Sequence, residues 1–267
     1  MKKFMALLLV AGMTLSLTAC GGSTDTAKTD QADGKDTFTV GFDQDFPPFG
    51  YVGDDGEFTG FDIEMATECA ARMGKKIVLQ PIDWDAKDME LEADTIDCIW
   101  NGFTMNGRED QYTWTDPYMD NSQVVVVKKD SEINTLADLA GKVVEVQKES
   151  AAETALNDEE HADLTASFAQ LLSVGEYNTA FMDLESGAVD AVAIDIGVAQ
   201  FQIEGKEDQY QILDETISSE QYAVGFFLGN TALRDEVQST LSEMVEDGTF
   251  AEISNKYFGY DVCTLGK

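Results

Sequence analysis

Apolar and polar residues follow one another along this chain in blocks that predict strands and helices in alternation. Short runs rich in β-branched and aromatic residues predict strands at 38–42, 76–81, 96–103, 123–128, 142–147, 189–194 and 221–228. Apolar residues at helical spacing predict helices after Gly60, after Trp84, from Leu136, before Gly187, over 233–245 and over 250–258. This β/α alternation predicts parallel sheets with helices on both faces. The four successive valines at 124–127 agree, since a strand covered on both faces is continuously apolar.

The first residues have the composition of an export signal. Lys2 and Lys3 precede a short apolar run over 4–10, and the segment is too short for a membrane-spanning helix. Residues 1–19 are predicted to be a lipoprotein signal peptide, because Leu17-Thr18-Ala19-Cys20 resembles a bacterial lipobox in which Cys20 becomes lipidated. An ordinary signal peptide with a chance cysteine is the alternative. Residues 20–36 are small and polar, and we expect a flexible tether there.

Composition narrows the choice of partners. The chain has 17 basic and 51 acidic residues, a formal charge of −34, so nucleic acid is excluded as a partner. No second apolar stretch is long enough to cross a membrane, which leaves Cys20 as the expected attachment.

Cys69 and Cys98 are expected to be buried, while a disulfide among them and Cys263 stays open. His161 is the sole histidine and no CxxC pair occurs, so neither a metal nor a cofactor is expected.

One segment suggests where a ligand would bind. The strand at 38–42 runs into Asp43 and then into Pro47 and Pro48, which force the chain out of a sheet. Asp43, Phe46 and Phe49 are therefore expected at the carboxyl edge of a sheet, where open α/β folds bind small ligands. A helix follows Gly60, with Asp62 expected as its cap.

Several motifs together resemble a known family. They are Gly41-Phe-Asp-x-x-Phe-Pro-Pro-Phe, Gly60-Phe-Asp-Ile, Trp84 ahead of Asp97-Cys-Ile, Thr104 with Arg108, Trp114-Thr-Asp-Pro-Tyr, Leu139-Ala-Gly-Lys, Val189-Asp-Ala with Asp195, Tyr222-Ala-Val-Gly and Asp247-Gly-Thr. Their order across nearly the whole chain resembles family 3 extracellular solute-binding proteins, the polar amino acid receptors of bacterial ABC importers. Each motif alone is weak, and the order makes the match specific.

The resemblance implies a type II periplasmic-binding-protein-like α/β fold. Two lobes, each a doubly wound and mostly parallel sheet, would be joined by two crossing hinge strands. By that pattern, lobe 1 comprises 37–119 and 220–267, and lobe 2 comprises 120–219. The valine run and Tyr222-Ala-Val-Gly would be, or adjoin, the crossings.

The family pattern also implies how a free amino acid would be held by its charged groups. Arg108 would bind the carboxylate through its guanidinium fork, assisted by Ser150 at a helix start. The loop before Arg108 is one residue shorter than usual in the family. A solvated surface arginine and a purely structural N-cap serine are the alternatives. Asp195 would accept from the ammonium, with a carbonyl of Gly102 and the hydroxyl of Thr104; a structural turn is the alternative.

The ligand's side chain would lie between two aromatic residues. Phe46 and Trp84 match the family positions that enclose it, although both could be core residues instead. Asp43 matches a position that contacts polar or basic side chains, and Asn101 can both donate and accept. This set favours a polar or basic amino acid.

These implications lead to one function and two alternatives. We expect a monomeric, membrane-anchored receptor that closes on an L-amino acid and delivers it to the permease subunits of an importer with a separate ATPase. Its location would be the extracytoplasmic face of the cell membrane. One alternative is a binding protein for a signalling receptor. The other is a dehydratase on the same fold, which needs a cleft acid; no glutamate is expected at a strand end of lobe 1.

Overall fold

The computed structural model describes residues 35–267. The predicted signal peptide, Cys20 and nearly all of the predicted tether lie outside the described residues. Among residues 35–267, no helix is long and apolar enough to cross a membrane.

Strands and helices alternate as the hydrophobic pattern predicts. The strands are β1 (Thr37–Phe42), β2 (Asp45–Phe46), β3 (Gly50–Val52), β4 (Phe58–Thr59), β5 (Lys76–Pro81), β6 (Cys98–Ile99), β7 (Thr113–Trp114), β8 (Met119–Lys128), β9 (Val143–Gln147), β10 (Gln170–Val174), β11 (Ala191–Asp195), β12 (Tyr210–Ile212), β13 (Ser218–Tyr222) and β14 (Gly225–Phe226). The α-helices are α1 (Phe61–Arg72), α2 (Lys87–Glu92), α3 (Ala151–Leu156), α4 (Ala162–Ser167), α5 (Tyr177–Ser186), α6 (Ile196–Ile203), α7 (Thr231–Glu246) and α8 (Thr249–Phe258).

Each lobe is built on its own sheet. The first has the order β5-β1-β6-β14-β7, with β1 parallel to both β5 and β6 and with β14 reversed. The second has the order β10-β9-β11-β8-β12, with β9 parallel to β10 and β11 and with β8 reversed. A small sheet of β2, β3 and β4 follows the Pro47-Pro48 turn. The fold is therefore the two-lobed α/β architecture that the motifs implied.

Two antiparallel strands connect the lobes. β8 leaves the first lobe at Met119, where it pairs with Tyr222, and enters the second sheet along the valine run, which pairs with β11. β13 runs the other way, from Ser218 opposite Gln123 to Tyr222. Because both strands cross from one lobe to the other, side chains on one face of β8 and β13 lie at the junction between the lobes.

Three element predictions need correction. The strand expected at 96–103 is limited to Cys98–Ile99, because the chain then turns through Gly102, which has a φ of 56°. The strand expected at 221–228 is two strands, β13 in the crossing and β14 in the first sheet, with Ala223 and Val224 between them. Asp62 does not cap α1; Gly60 precedes the helix, and the Asp62 side chain is fully buried in the first lobe.

The cysteine predictions agree with the structure. Cys69 and Cys98 are buried, and Cys263 is buried as well. All three are free thiols, which answers the open question of a disulfide among them.

Candidate functional site

A narrow cavity between the lobes brings eight of the nine predicted ligand-binding residues together. The space between its walls, including the part open to solvent, is about 280 Å³, of which the centres of water-sized molecules can reach about 10 Å³. The predicted residues that line it are Phe46, Trp84, Asn101, Gly102, Thr104, Arg108, Ser150 and Asp195. Gln147 and Ala151 line it too. Asp43 lines an adjoining cavity that shares Trp84 with the first.

The segment from Asn101 to Thr104 is held from behind by a buried carboxyl group. Gly102 N–H donates to Asp62 Oδ2 at 2.5 Å, and the Tyr118 hydroxyl donates to both Asp62 oxygens at 2.9 and 3.0 Å. Burial raises the pKa of Asp62 to about 7. A Cβ on Gly102 would lie 3.0 Å from the rings of Phe46 and Tyr222, so glycine lets these aromatic residues approach. Asn101 is buried in the same segment, and its Oδ1 accepts no hydrogen bond from the described residues.

Asp195 ends β11 and accepts several hydrogen bonds inside the protein. Its Oδ1 accepts from the Tyr222 hydroxyl at 2.6 Å, from Gln123 Nε2 at 2.7 Å and from Asn121 Nδ2 at 2.8 Å. No lysine or arginine of the described residues forms an ion pair with it. Burial and the neighbouring Glu220 together raise the pKa of Asp195 to about 7. This carboxyl group is therefore positioned by strands and left without a counter-ion.

Glu220, on β13, was not among the predicted residues. Its Oε1 accepts from the same two amides as Asp195, Asn121 Nδ2 and Gln123 Nε2, both at 2.7 Å, and from Thr104 Oγ1 at 2.8 Å. The sequence contains a signal for the two amides that bind Glu220, although not for Glu220 itself. Asn121 and Gln123 stand two residues apart directly before the valine run, so they share one face of a strand, and the other residues of that face are apolar. The sequence analysis considered only strand ends of lobe 1 and therefore did not consider Glu220, which lies within β13.

Arg108 lies on the loop after β6 and bridges the two lobes. Its Nη1 donates to the Thr104 carbonyl at 3.1 Å and its Nη2 to the Glu149 carbonyl of the second lobe at 3.3 Å. The guanidinium also lies over the Phe103 ring, 5.4 Å from its centroid. The side chain is half-buried and lines the cavity, so it reaches this site despite the shortened loop.

Ser150 caps α3, as the sequence predicted. Its Oγ accepts from the Glu153 backbone N–H at 3.1 Å, which leaves its hydroxyl hydrogen available to an acceptor in the cavity. Glu149, the preceding residue, has a φ of 60°. Its carbonyl accepts from Trp84 Nε1 as well as from Arg108.

Aromatic and acidic side chains lie where the cavity meets the adjoining one, on the side of Asp43. Phe46 packs against Tyr177 of the second lobe, with centroids 6.1 Å apart, while the Lys87 ammonium lies over the Trp84 ring at 5.4 Å. Asp43 Oδ2 accepts from Gln147 Nε2 of the second lobe at 2.6 Å. Burial raises the pKa of Asp43 to about 6, with Asp45 and Glu176 adding to the effect. Gln147 lines the cavity and was not among the predicted residues.

The same structure offers no metal centre in its described part. No group of three or more histidine, cysteine, aspartate or glutamate side chains within residues 35–267 could hold a metal ion.

Known binding proteins are similar to this chain in sequence and in structure. The L-cystine-binding protein TcyJ of Escherichia coli K12 is 31% identical over 97% of this chain and 94% of its own length. The L-cystine-binding protein TcyA of Bacillus subtilis is 32% identical over 98% and 99%. A Streptococcus pneumoniae ABC uptake transporter substrate-binding protein with bound histidine superimposes with a TM-score of 0.82, at 34% identity over 86% of this chain and 95% of that one.

A family model for bacterial extracellular solute-binding proteins, family 3, matches residues 38–260. The relatives above are binding proteins rather than enzymes. The chain belongs to the family 3 bacterial extracellular solute-binding proteins.

Proposed function

We propose that this protein captures a free L-amino acid with a polar or basic side chain between its lobes and delivers it to an ABC importer. The observation that carries the proposal is the pairing of Arg108 and Asp195 from opposite lobes in one cavity. A guanidinium and an uncompensated carboxylate at the two ends of a narrow site complement a zwitterion. The relatives named as L-cystine-binding proteins and the similar protein solved with bound histidine support an amino acid as the ligand.

The ligand's carboxylate binds at the Arg108 end. The guanidinium now donates to two backbone carbonyls, and a carboxylate is a stronger acceptor that can take two parallel bonds. The Ser150 hydroxyl adds a donor, because its oxygen already accepts from Glu153 N–H. The ligand's ammonium binds to Asp195, with Thr104 and the Gly102 carbonyl as further acceptors.

The ligand's side chain extends between Phe46 and Trp84 toward Asp43, with Asn101 beside the path. Beyond Trp84 the adjoining cavity is lined by Asp43, Asp45, Asp83, Asp85, Glu90 and Glu176. A positive group placed there would relieve the repulsion among these carboxylates, and in particular that felt by the buried Asp43. The charge of this end therefore favours a basic side chain over a neutral one of the same shape.

Contacts between the lobes explain how binding is linked to closure. Gln147 to Asp43, Trp84 to the Glu149 carbonyl and Lys148 to Asp85 all join one lobe to the other. A ligand held by both lobes adds contacts that exist only in this arrangement, so it shifts the population toward the closed form. The closed form then docks on the permease subunits, which a separate ATPase drives.

A lipid on Cys20 would hold the receptor on the extracytoplasmic face of the membrane, close to its permease. Tethering raises the effective concentration of a binding partner without any new contact. The protein acts as a monomer in this scheme, and the lobe bounds 37–119 with 220–267 and 120–219 describe its moving parts. Relay of the ligand signal to a membrane receptor is the second candidate, because the same closed form could dock there.

Thermal-shift and calorimetric screening against the twenty amino acids, cystine, ornithine and citrulline tests the proposal. Bound ligand raises Tm by mass action, and we expect a polar or basic amino acid to do so. Arginine against citrulline isolates the charge of the side chain, because the two have nearly the same shape. Asp43→Asn should narrow that difference, whereas Asp214→Asn, an exposed residue of the second lobe, should leave it unchanged. Silence across the panel would overturn the amino acid assignment.

A further inference from the structure

We propose that Glu220 is a positioning residue for the site around Asp195 that binds the ligand's ammonium. Glu220 sets the charge of that site and the direction of its hydrogen bonds, so that the ammonium enters in exchange for a proton. The inference rests on the proposed function and identifies how its Asp195 end operates. Glu220 does not line the cavity, so it acts through Thr104, Asn121 and Gln123.

Two carboxyl groups share the same donors. The amide nitrogens of Asn121 and Gln123 each donate once to Asp195 Oδ1 and once to Glu220 Oε1, at 2.7 to 2.8 Å. Both N–H groups of each amide are therefore used, while Asn121 Oδ1 and Gln123 Oε1 are buried without a partner among the described residues. An unpaired buried carbonyl is unfavourable. The amides keep this orientation because both carboxyl groups need donors.

Glu220 also fixes which way Thr104 points its hydroxyl hydrogen. A hydroxyl has a single hydrogen, and that of Thr104 goes to Glu220 Oε1 at 2.8 Å. The oxygen of Thr104 is left with lone pairs and can only accept. In the cavity, Thr104 thus presents an acceptor to the ammonium of a ligand and cannot donate to a carboxylate.

The charge around the pair is one-sided. Asp195 is 4% exposed and Glu220 6% exposed, and within residues 35–267 neither forms an ion pair with a lysine or arginine. The titratable groups beside Asp195 are Glu220, Tyr222 and Tyr177, none of which is cationic. Arg108, the cation that lines the same cavity, donates to the Thr104 and Glu149 carbonyls instead. Two buried carboxylates that share a site do not both ionise readily. Burial and the neighbouring Glu220 raise the pKa of Asp195, so without a ligand Asp195 carries a proton at pH 6.

Binding then balances as an exchange. The ligand brings one ammonium, which donates to Asp195 and Thr104, and the proton on the pair leaves to the solvent. The product contains two carboxylates and one ammonium, so the site keeps the net charge that it had with one proton. No bond of the ligand breaks, and the ammonium keeps its own three hydrogens.

The test has one part without ligand and one part with it. In the ligand-free protein at pH 6, the infrared difference spectrum of wild type minus Glu220→Gln should show a carbonyl band of a protonated carboxylic acid, because the variant lowers the protonated fraction of Asp195. Glu220→Asp keeps the carboxyl group and should retain the band. A difference spectrum without that band overturns the proposal, since the contributions of Asp62 and Asp43 cancel between the two proteins.

The second part uses L-arginine, or the amino acid that the panel identifies, in calorimetry with buffers of different ionisation enthalpy. Wild type should release about one proton for each ligand bound at pH 6 and almost none at pH 8.5. Glu220→Gln should release far less at pH 6, Glu220→Asp should behave like wild type, and Asp214→Asn should not differ. Binding without proton release overturns the inference but leaves the proposed function intact. A band without any amino acid binder overturns the proposed function and the exchange together.

Discussion

The two ends of the cavity are built in different ways. At one end lies the hinge carboxylate cluster, formed by Asp195, Glu220, Asn121, Gln123 and Tyr222, all on strands and all buried. At the other end lies the arginine loop, residues 105–108, whose Arg108 is half-buried and donates to two backbone carbonyls. The hydrogen bonds of the cluster lie within β8, β11 and β13, apart from the one that Thr104 donates to Glu220. The loop needs the second lobe, because one of its acceptors is the Glu149 carbonyl.

This difference predicts which end is preorganised. Hydrogen bonds between paired strands fix the cluster before any ligand arrives, so little conformational entropy is lost there on binding. The guanidinium must exchange its carbonyl acceptors for a carboxylate, and its geometry depends on closure. The ammonium end should therefore contribute more to affinity than the carboxylate end, and each prediction below tests that ranking.

The largest effect is expected from Asp195→Asn. The substitution keeps the shape but removes the charge that meets the ammonium, and removing one partner of a buried charge pair costs about 2–5 kcal/mol. Affinity for the amino acid found by the panel should fall roughly 30-fold to more than 1000-fold. Titration calorimetry measures it, with Asp214→Asn as the matched acid-to-amide control. A loss below about threefold would contradict the role of Asp195 and reverse the ranking.

A smaller loss is expected from Arg108→Ala. A hydrogen bond to a charged group contributes about 1.5–3 kcal/mol, which corresponds to roughly a 10- to 150-fold weaker affinity. Arg108→Lys should recover only part of it, because an ammonium cannot form two parallel bonds with a carboxylate. Full recovery with lysine would show that charge alone matters at this end. A greater loss than with Asp195→Asn would break the comparison between the two ends.

A third test compares the two ends in the ligand-free protein. Burial and Glu220 raise the pKa of Asp195 to about 7, so the folded state binds a proton more tightly than the unfolded chain does. This contribution to the free energy of unfolding is complete below the ordinary pKa of aspartate and is lost as pH rises through about 7. Tm should therefore fall between pH 5 and pH 8.

Asp195→Asn should make that fall shallower, by about 2–4 °C for each kcal/mol of linkage removed. Arg108→Ala should not change it, since a guanidinium stays protonated throughout this range. Asp62, whose pKa burial also raises to about 7, keeps part of the slope in both variants. An Asp195→Asn profile parallel to that of wild type would contradict a raised pKa at the hinge carboxylate cluster.

Most of the fold could be predicted because hydrophobic period and family motifs act locally. β5 agrees with its predicted bounds, and Ser150 caps α3 as expected, since a strand and an N-cap are each specified by a few adjacent residues. The strand at 221–228 was wrong because its break reflects a choice of partner: β13 pairs with β8 in the crossing and β14 with β6 and β7. The hydrophobic pattern of a segment does not specify which strands it pairs with.

The candidate site shows the same limit. Residues in recognisable motifs, such as Arg108 and Asp195, line the cavity as the resemblance implied. Glu220 could not be assigned, because its importance comes from β13 pairing with β8, which brings it beside Asn121 and Gln123 about a hundred residues earlier in the chain. Asp62 was misread as a cap for a similar reason, since its partners Gly102 and Tyr118 are distant in sequence.

The smallest effect is expected at the rim, where Lys148 of the second lobe pairs with Asp85 of the first at 2.8 Å. Lys148 lowers the pKa of Asp85, yet the two side chains are 55% and 39% exposed, so solvent and salt screen the pair. Exposed ion pairs contribute about 0–1 kcal/mol, so Lys148→Ala should weaken ligand binding less than about fivefold. The effect should vanish at high salt and be absent in an Asp85→Ala background. A tenfold loss that persists in high salt would mean that closure depends on the ion pair between Lys148 and Asp85. The position of the arginine loop would then depend on this ion pair as well.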